Sequence, residues 1–395
     1  MLRTALSRTR KFALLLAALL LALVAAHPGR ALAQDAPEDR HHELFLPALA
    51  AGAQPDVDAA GAPGSVYVMT NETTGNAVAV YRRAANGTLT SAGTVPTGGL
   101  GIGGGLGSQG AVVLSDNGRR LFVVNPGSND VSVFSVKPQG LVRTDLIASG
   151  GIRPTSVTVR NDLVYVLNAG GTGSIAGFRL HGGKLSPIPG SVKPSSTATA
   201  APAQIQFNAK GTLLVVTERA TNRIVTYPVV DDVAGDPIVS PSVGAVPFGF
   251  DIDRQNHLVV SEAMGAAQGT GASSYNLQND GHATPIRQSI GNGQGAACWL
   301  VISKNGQFAY TANAATNNLS SYTVAADGRL AVLQAAVPTD MQPLDMDITV
   351  NGRFLYVIDG RSDTIRGFTV NADGTLTDLG VQVPVAASAA GMAAD

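Results

Sequence analysis

Glu218 in "VVTERA" and Glu262 in "VVSEAM" each follow an apolar run and a hydroxyl residue. Two carboxylates meeting at one pocket can divide acid and base work when burial or mutual repulsion raises one pKa. Arg219, beside the first of them, and Arg153 in "GIRPT" are groups that bind a carboxylate or stabilise a developing oxyanion. Cys298, next to Trp299 in "GAACWLVIS", is the only cysteine and a formal nucleophile, but no histidine lies near it in sequence and a small buried side chain is its default role. The glutamates too have a plain alternative, because polar groups at strand ends ordinarily cap turns.

These residues recur in register because the chain repeats. Units such as "LFVVNPGSNDVSVFSV", "LLVVTERATNRIVTYPV" and "LYVIDGRSDTIRGFTV" occur seven times, the first strand of each closing at Thr70, Asn125, Asn168, Thr217, Ser261, Asn313 and Asp359. Their mean spacing of about 48 residues is that of a four-stranded propeller blade. Most units have an upstream strand ending in a polar turn, as in "AVVLSDNG" and "WLVISKNG", and a short outer strand, as in "GTLTSAG". The expected fold is all-β: a seven-bladed propeller of antiparallel a-b-c-d meanders. The first unit opens on strand b without a strand a. The tail Gly391 to Asp395 resembles "GAVVLSD" in size pattern and is expected to supply that missing strand and close the ring, after an outer strand ending near Gly380.

This topology puts the starts of the a strands and the ends of the b strands on one face around a central channel. Gln109, Arg153, Gln204, Cys298 and Asp345 lie near the first group, and Asn71, Asn125, Asn168, Glu218, Glu262 and Asn313 near the second. In the enzymatic reading Glu218 and Glu262 are catalytic, and the remaining residues, with Arg219, bind substrate. His257 in "DRQNHLVV" falls in an a-b turn, on the opposite face, and is expected to be exposed. No HExxH, paired CxxC or EF-hand loop occurs, and no cofactor is expected. Oxygen ligands from different blades offer one route to a channel calcium ion.

"TGGLGIGGGLGSQG", residues 97–110, formally contains GxGxxG but runs into strand, turn and strand. A dinucleotide fingerprint requires a helix there. The run therefore reads as a long connection from blade 1 to blade 2 on the channel-mouth face.

The first 33 residues carry Arg3, Arg8, Arg10 and Lys11, the apolar run "FALLLAALLLALVAA" and a closing "ALA", the pattern of an export signal cleaved before Gln34. The apolar run is about fifteen residues, short of the roughly twenty needed for a span. Residues 34–64 read as a flexible leader and 65–395 as the propeller, in a protein secreted or delivered to the periplasm. Removing the five positive charges of the signal leaves 22 Lys and Arg against 28 Asp and Glu, a net charge of -6 that argues against nucleic acid as a partner.

The segments "TGGLGIGGGLGSQGAVVLSDNGRRLFVVNPGSNDVSVF", "PAQIQFNAKGTLLVVTERATNRIVTY", "PFGFDIDRQNHLVVSEA" and "GQGAACWLVISKNGQFAYTANA" are similar to the lactonase-like seven-bladed β-propeller family over residues 65–395. The resemblance implies hydrolysis of sugar-derived lactones such as phosphogluconolactone; related propellers cyclise muconates. Enzyme branches of the family have Pro-Arg-His at an inner strand followed by a glutamate. Here the matching residues are Pro202, Ala203, Gln204 and then Glu218, so the glutamate is kept and the arginine and histidine are not. A small lactone is therefore the implied ligand, with non-catalytic binding of a small molecule or peptide, or a structural role in the cell envelope, as the alternatives.

Overall fold

Each b strand reads as an unbroken apolar run because a blade is covered on both faces by its neighbours. Leu121–Val124, Leu214–Val216 and Leu355–Ile358 are buried throughout, without the alternation of a sheet that faces water on one side. The computed structural model describes residues 63–264 and 270–395, within one compact unit, Pro55–Asp395. The expected export signal, and the leader up to residue 62, lie outside the described residues.

Seven antiparallel sheets follow one another. Their inner strands are Met392–Ala394, Val112–Leu114, Pro154–Arg160, Pro202–Phe207, Pro247–Ile252, Ala297–Ile302 and Pro343–Ile348 for blades 1 to 7. The paired b strands are Gly64–Met69, Arg120–Asn125, Leu163–Asn168, Leu213–Glu218, His257–Glu262, Phe308–Asn313 and Phe354–Asp359. The outer strands differ from the short pieces expected. In blade 7 the strand continues past Gly380 to Pro384, accommodated by shifts of register opposite Ile365–Phe368. In blades 3 and 4 it is split, into Lys184–Pro187 with Lys193–Pro194 and Val233–Ala234 with Ile238–Pro241. Pro189 and Pro237 stand in the gaps, where a missing N–H interrupts a ladder.

Two repeated devices hold this frame. In the a-b turns, Ser115, Asn208, Asp253, Ser303 and Thr349 accept the N–H of the incoming b strand at 2.8–3.1 Å. Asp253 also binds His257 Nδ1 at 2.8 Å, so the imidazole expected in solvent is buried under Gly328. The Asp–His pair is thus one member of a series of turn caps. Between blades, tyrosine hydroxyls on b strands donate to a carbonyl of the following blade: Tyr165 to Asp232, Tyr310 to Gly374 and Tyr356 to Gly87. Each buried ring fills the gap between sheets while its polar tip is satisfied.

Closure is non-covalent. Met392, Ala393 and Ala394 pair antiparallel with Val68, Tyr67 and Val66, so the C-terminus supplies the inner strand of blade 1 as expected. Deleting residues 386–395 is predicted to expose the edge of Gly64–Met69 and to lower and broaden the melting transition by on the order of 10 °C. Scanning calorimetry is the check, and an unchanged transition contradicts closure by this strand.

Candidate functional site

The glycine-rich connection winds around Asn71, a residue with φ of 56°. Asn71 Oδ1 accepts from Ile102 N at 3.0 Å and Nδ2 donates to Gly104 O at 2.6 Å. A Cβ on Gly101 would lie 2.1 Å from the Asn71 carbonyl carbon, so this winding needs glycine. The segment then delivers Ser108 and Gln109 across the channel. Gln109 N donates to Ala203 O of blade 4, while its side-chain amide accepts from Leu300 N and donates to Leu300 O of blade 6. Trp299 Nε1 donates to Ser108 O at 2.9 Å. A Cβ on Gly249 would fall 2.1 Å from Gln109 Oε1, so the glycine of "PFGFD" leaves the space for this crossing.

Below that crossing lies a cavity of about 730 Å³. Its walls are the inner strands and its rim the a-b turns, so it opens on the face opposite the expected one. The polar groups of its wall bind neighbouring blades. Gln204 accepts from Phe250 N and donates to Phe250 O, both at 2.8 Å. Asp251 accepts from Gln206 Nε2 and Ile302 N, and Asp347 from Ala394 N at 2.9 Å. Asp345 accepts from Met346 N at 3.0 Å and from the N–H groups of Met392 and Gly110. Its Oδ2 has no partner. Burial, and then the Asp347 charge, pushes the Asp345 carboxyl up to about 8. Gln206, Asp347 and Lys304 line this cavity without having been singled out from sequence. The visible clue was the polar i, i+2 pair in an inner strand, Gln204 with Gln206 and Asp345 with Asp347.

The b-strand ends do not converge on the channel. Glu218 is buried and takes three donors: Ser196 N at 2.8 Å, Ser196 Oγ at 2.5 Å and Thr221 Oγ1 at 2.9 Å. Asn125 donates to Asp130 and Ser132 and accepts from Asn76, whereas Asn168 exchanges hydrogen bonds with Ser149. Asn313 donates to Asn318 and Ser320 and accepts from Asn292. These side chains bind the segments joining successive blades. Glu262 belongs to the same belt and accepts from Ser289 Oγ, but its Oε1 is without a partner. Burial raises its pKa, against the hydroxyls of Ser273 and Ser289.

Arg219 is the exception on that face. Its Nε donates to Ala201 O at 3.2 Å, and the guanidinium carbon lies 5.4 Å from the centre of the Phe248 ring. Desolvation pulls its pKa down, with Cys298 opposing and Arg153 adding a like charge. No carboxylate forms an ion pair with it among the described residues. Burial pushes the neighbouring Cys298 thiol up to about 12 against the pull of Arg219, the wrong direction for a nucleophile.

Arg153 is exposed in a left-handed conformation that recurs before the inner strands: φ is 55° at Arg153, 49° at Ala201, 56° at Val246, 54° at Ala296 and 59° at Gln342. Left-handed asparagines of the b-c turns, Asn129, Asn222 and Asn317, accept the N–H of Arg153, Val246 and Gln342 at 2.7–2.8 Å. For a β-branched residue such as Val246 this geometry is costly, and these straps hold it. No group of three or more His, Cys, Asp or Glu among the described residues is arranged to hold a metal ion.

Residues 63–188 and 268–390 match the family described as lactonase, 7-bladed beta-propeller. The chain belongs to that family. Among solved structures, this lactonase propeller is similar to the periplasmic gluconolactonase of Pseudomonas aeruginosa, at 16% identity and a TM-score of 0.67, covering 84% of this chain and 99% of that one. It is also similar to a protein from Lactobacillus plantarum, at 16% identity and a TM-score of 0.69, covering 83% and 98%. At such identities the likeness is one of fold. No curated protein sequence matches the chain.

The raised pKa of Asp345 has a signed consequence. The folded state favours the protonated carboxyl, so stability from this group is greatest at low pH and is lost as pH climbs from the ordinary carboxylate range through about 8. Asp347, Asp251, Asp116, Lys304, Arg160 and Arg254 are the other charged groups lining this cavity. For Asp345→Asn, the melting temperature relative to the parent protein is predicted to rise progressively between pH 5 and pH 8 and to level off above it. Parallel melting curves across that range contradict the assignment.

Proposed function

We propose that this protein is an extracytoplasmic hydrolase of small lactones, acting on the face that carries Arg219. The observation that carries the reading is a desolvated guanidinium with no carboxylate ion-paired to it among the described residues, facing the like charge of Arg153 beneath the glycine-rich connection. Such a pair favours an anion, or a carbonyl oxygen on which negative charge develops. Membership of the lactonase propellers supplies the reaction class, and the N-terminal export pattern and the periplasmic location of the Pseudomonas relative support the compartment.

In this mechanism water adds to the lactone carbonyl carbon while Arg219 and Arg153 take the oxyanion. The ring C–O bond then breaks to give a hydroxy acid. Glu262, whose pKa is raised and whose Oε1 is uncommitted, accepts the proton of the attacking water and returns it to the leaving alkoxide. Glu218, with three donors on its two oxygens, positions the connection into blade 4 beside Arg219. The saturation of Glu218 and the burial of Glu262 favour the competing reading, a propeller that binds a small molecule without changing it.

Five- and six-membered lactones, assayed by acid release, separate the two. The hydrolase reading predicts turnover that falls about 100-fold or more in Arg219→Met and in Glu262→Gln, both still folded. Glu218→Gln is predicted to lower the melting temperature more than it lowers kcat. Saturable binding without turnover of any lactone overturns the hydrolase reading in favour of the binder.

A further inference from the structure

On the Arg219 face, the first residue after the b strand in blades 3 to 7 donates its N–H to the left-handed residue before the inner strand. Ala169 donates to Arg153, Arg219 to Ala201, Ala263 to Val246, Ala314 to Ala296 and Gly360 to Gln342, at 2.9–3.3 Å. These five positions are therefore equivalent around the channel. A side chain there points over the channel mouth, because Arg219 reaches Phe248 of blade 5, Gly107 of the glycine-rich connection and the charge of Arg153 in blade 3. Its counterparts are alanine or glycine, so the room that an arginine fills in blade 4 stays open in the other blades.

The surroundings of that room are sorted by blade. Arg219 and Arg153, the guanidiniums that act on each other, stand on blades 4 and 3, and Arg219 is only half-buried, within reach of a ligand. On blades 5 to 7, Ala263, Ala314, Cys298 and Leu344 pack half-buried on the core that holds Phe248 and Trp299. Met264 and Met341, at the rim, are 63% and 52% exposed. Of the residues joined by hydrogen bonds between b-strand ends and inner-strand starts in blades 5 to 7, Gln342 and Arg361 are the polar ones. An apolar arc beside a charged centre is the make-up of a small-molecule site, in which a few polar groups orient the ligand. We propose that the substrate is an amphiphilic lactone, a five- or six-membered ring with an unbranched aliphatic tail, its carbonyl oxygen held by Arg219 and Arg153 and its tail lying on the apolar arc of blades 5 to 7. This rests on the hydrolase reading of the same face and adds the part of the substrate that does not react. Polyhydroxylated lactones are disfavoured, because hydroxyl groups laid on that arc lose water and gain few partners.

Two series on the full protein test this: kcat/KM for γ-butyrolactone, γ-hexalactone, γ-octalactone and γ-decalactone beside gluconolactone, and calorimetric titration with butanoate, hexanoate and octanoate. Both are expected to improve about twofold per methylene, as for a half-buried chain, with gluconolactone among the poorest substrates. Ala314→Gln, which puts a polar side chain into the open room, is expected to reduce the preference for γ-decalactone over γ-butyrolactone about tenfold. Met341→Ser, at an exposed position on which folding does not depend, is expected to reduce it about threefold. Turnover that is independent of chain length, or best with gluconolactone, overturns the amphiphile and leaves the hydrolase reading standing. No turnover of any lactone, with carboxylate binding that still strengthens with chain length, overturns the hydrolase reading and keeps the apolar arc as the ligand site; binding without that order overturns both. A preference indifferent to both variants overturns the placement of the tail, and so does a dimer in sedimentation that Met341→Ser dissolves, which assigns the arc to a second copy.

Discussion

An inner propeller strand is an edge strand, and seven such edges face one another across the channel with backbone groups that no ladder satisfies. The structure resolves this with side chains. Gln204 engages both backbone groups of Phe250, Gln109 both of Leu300, Ser156 and Thr158 the N–H groups of Ile205 and Phe207, and Asp251 that of Ile302. An unpaired buried N–H or carbonyl costs about 1–3 kcal/mol, so several in one hub would offset much of the stability of a domain. The polar ring that looks like chemistry in the sequence is therefore first a substitute for a neighbouring strand.

That constraint organises the function-bearing parts. Because Gln109 must reach Leu300, the connection before it is drawn over the channel, and its glycines let it coil on Asn71 and pass Gly249. The channel is thereby divided, leaving a polar cavity on the a-b turn face and the Arg219 region on the other. The acidic residues of blade 7 serve the same purpose at the ring closure, where Asp345 and Asp347 hold the backbone of a C-terminal strand only three residues long.

The fold was legible because it is written in local patterns: continuous apolar b strands, Asn-Gly and Asp-Gly turns, and a tail matching a missing strand. The Gln204–Gln206 and Asp345–Asp347 alternation also marked the channel wall. What sequence could not show was where a side chain's partner lies. Glu218 and Glu262 occupy equivalent positions, yet one meets three donors and the other keeps an oxygen free, a difference set by Ser196 in one connection and Gly244 in the next. The burial of His257 is hidden from sequence for the same reason, since it depends on Asp253 and on Gly328 of the adjacent blade. Outer strands look short in the sequence because their bulges break the alternation that defines a strand there.

Hydrogen exchange at the amides of Leu300 and Phe250 addresses the hub directly. If side chains replace the missing strand, Gln109→Leu accelerates exchange at Leu300 and Gln204→Leu at Phe250, each with a loss of about 1–3 kcal/mol in stability and little effect at the other amide. Unchanged protection of both amides in folded variants contradicts the account.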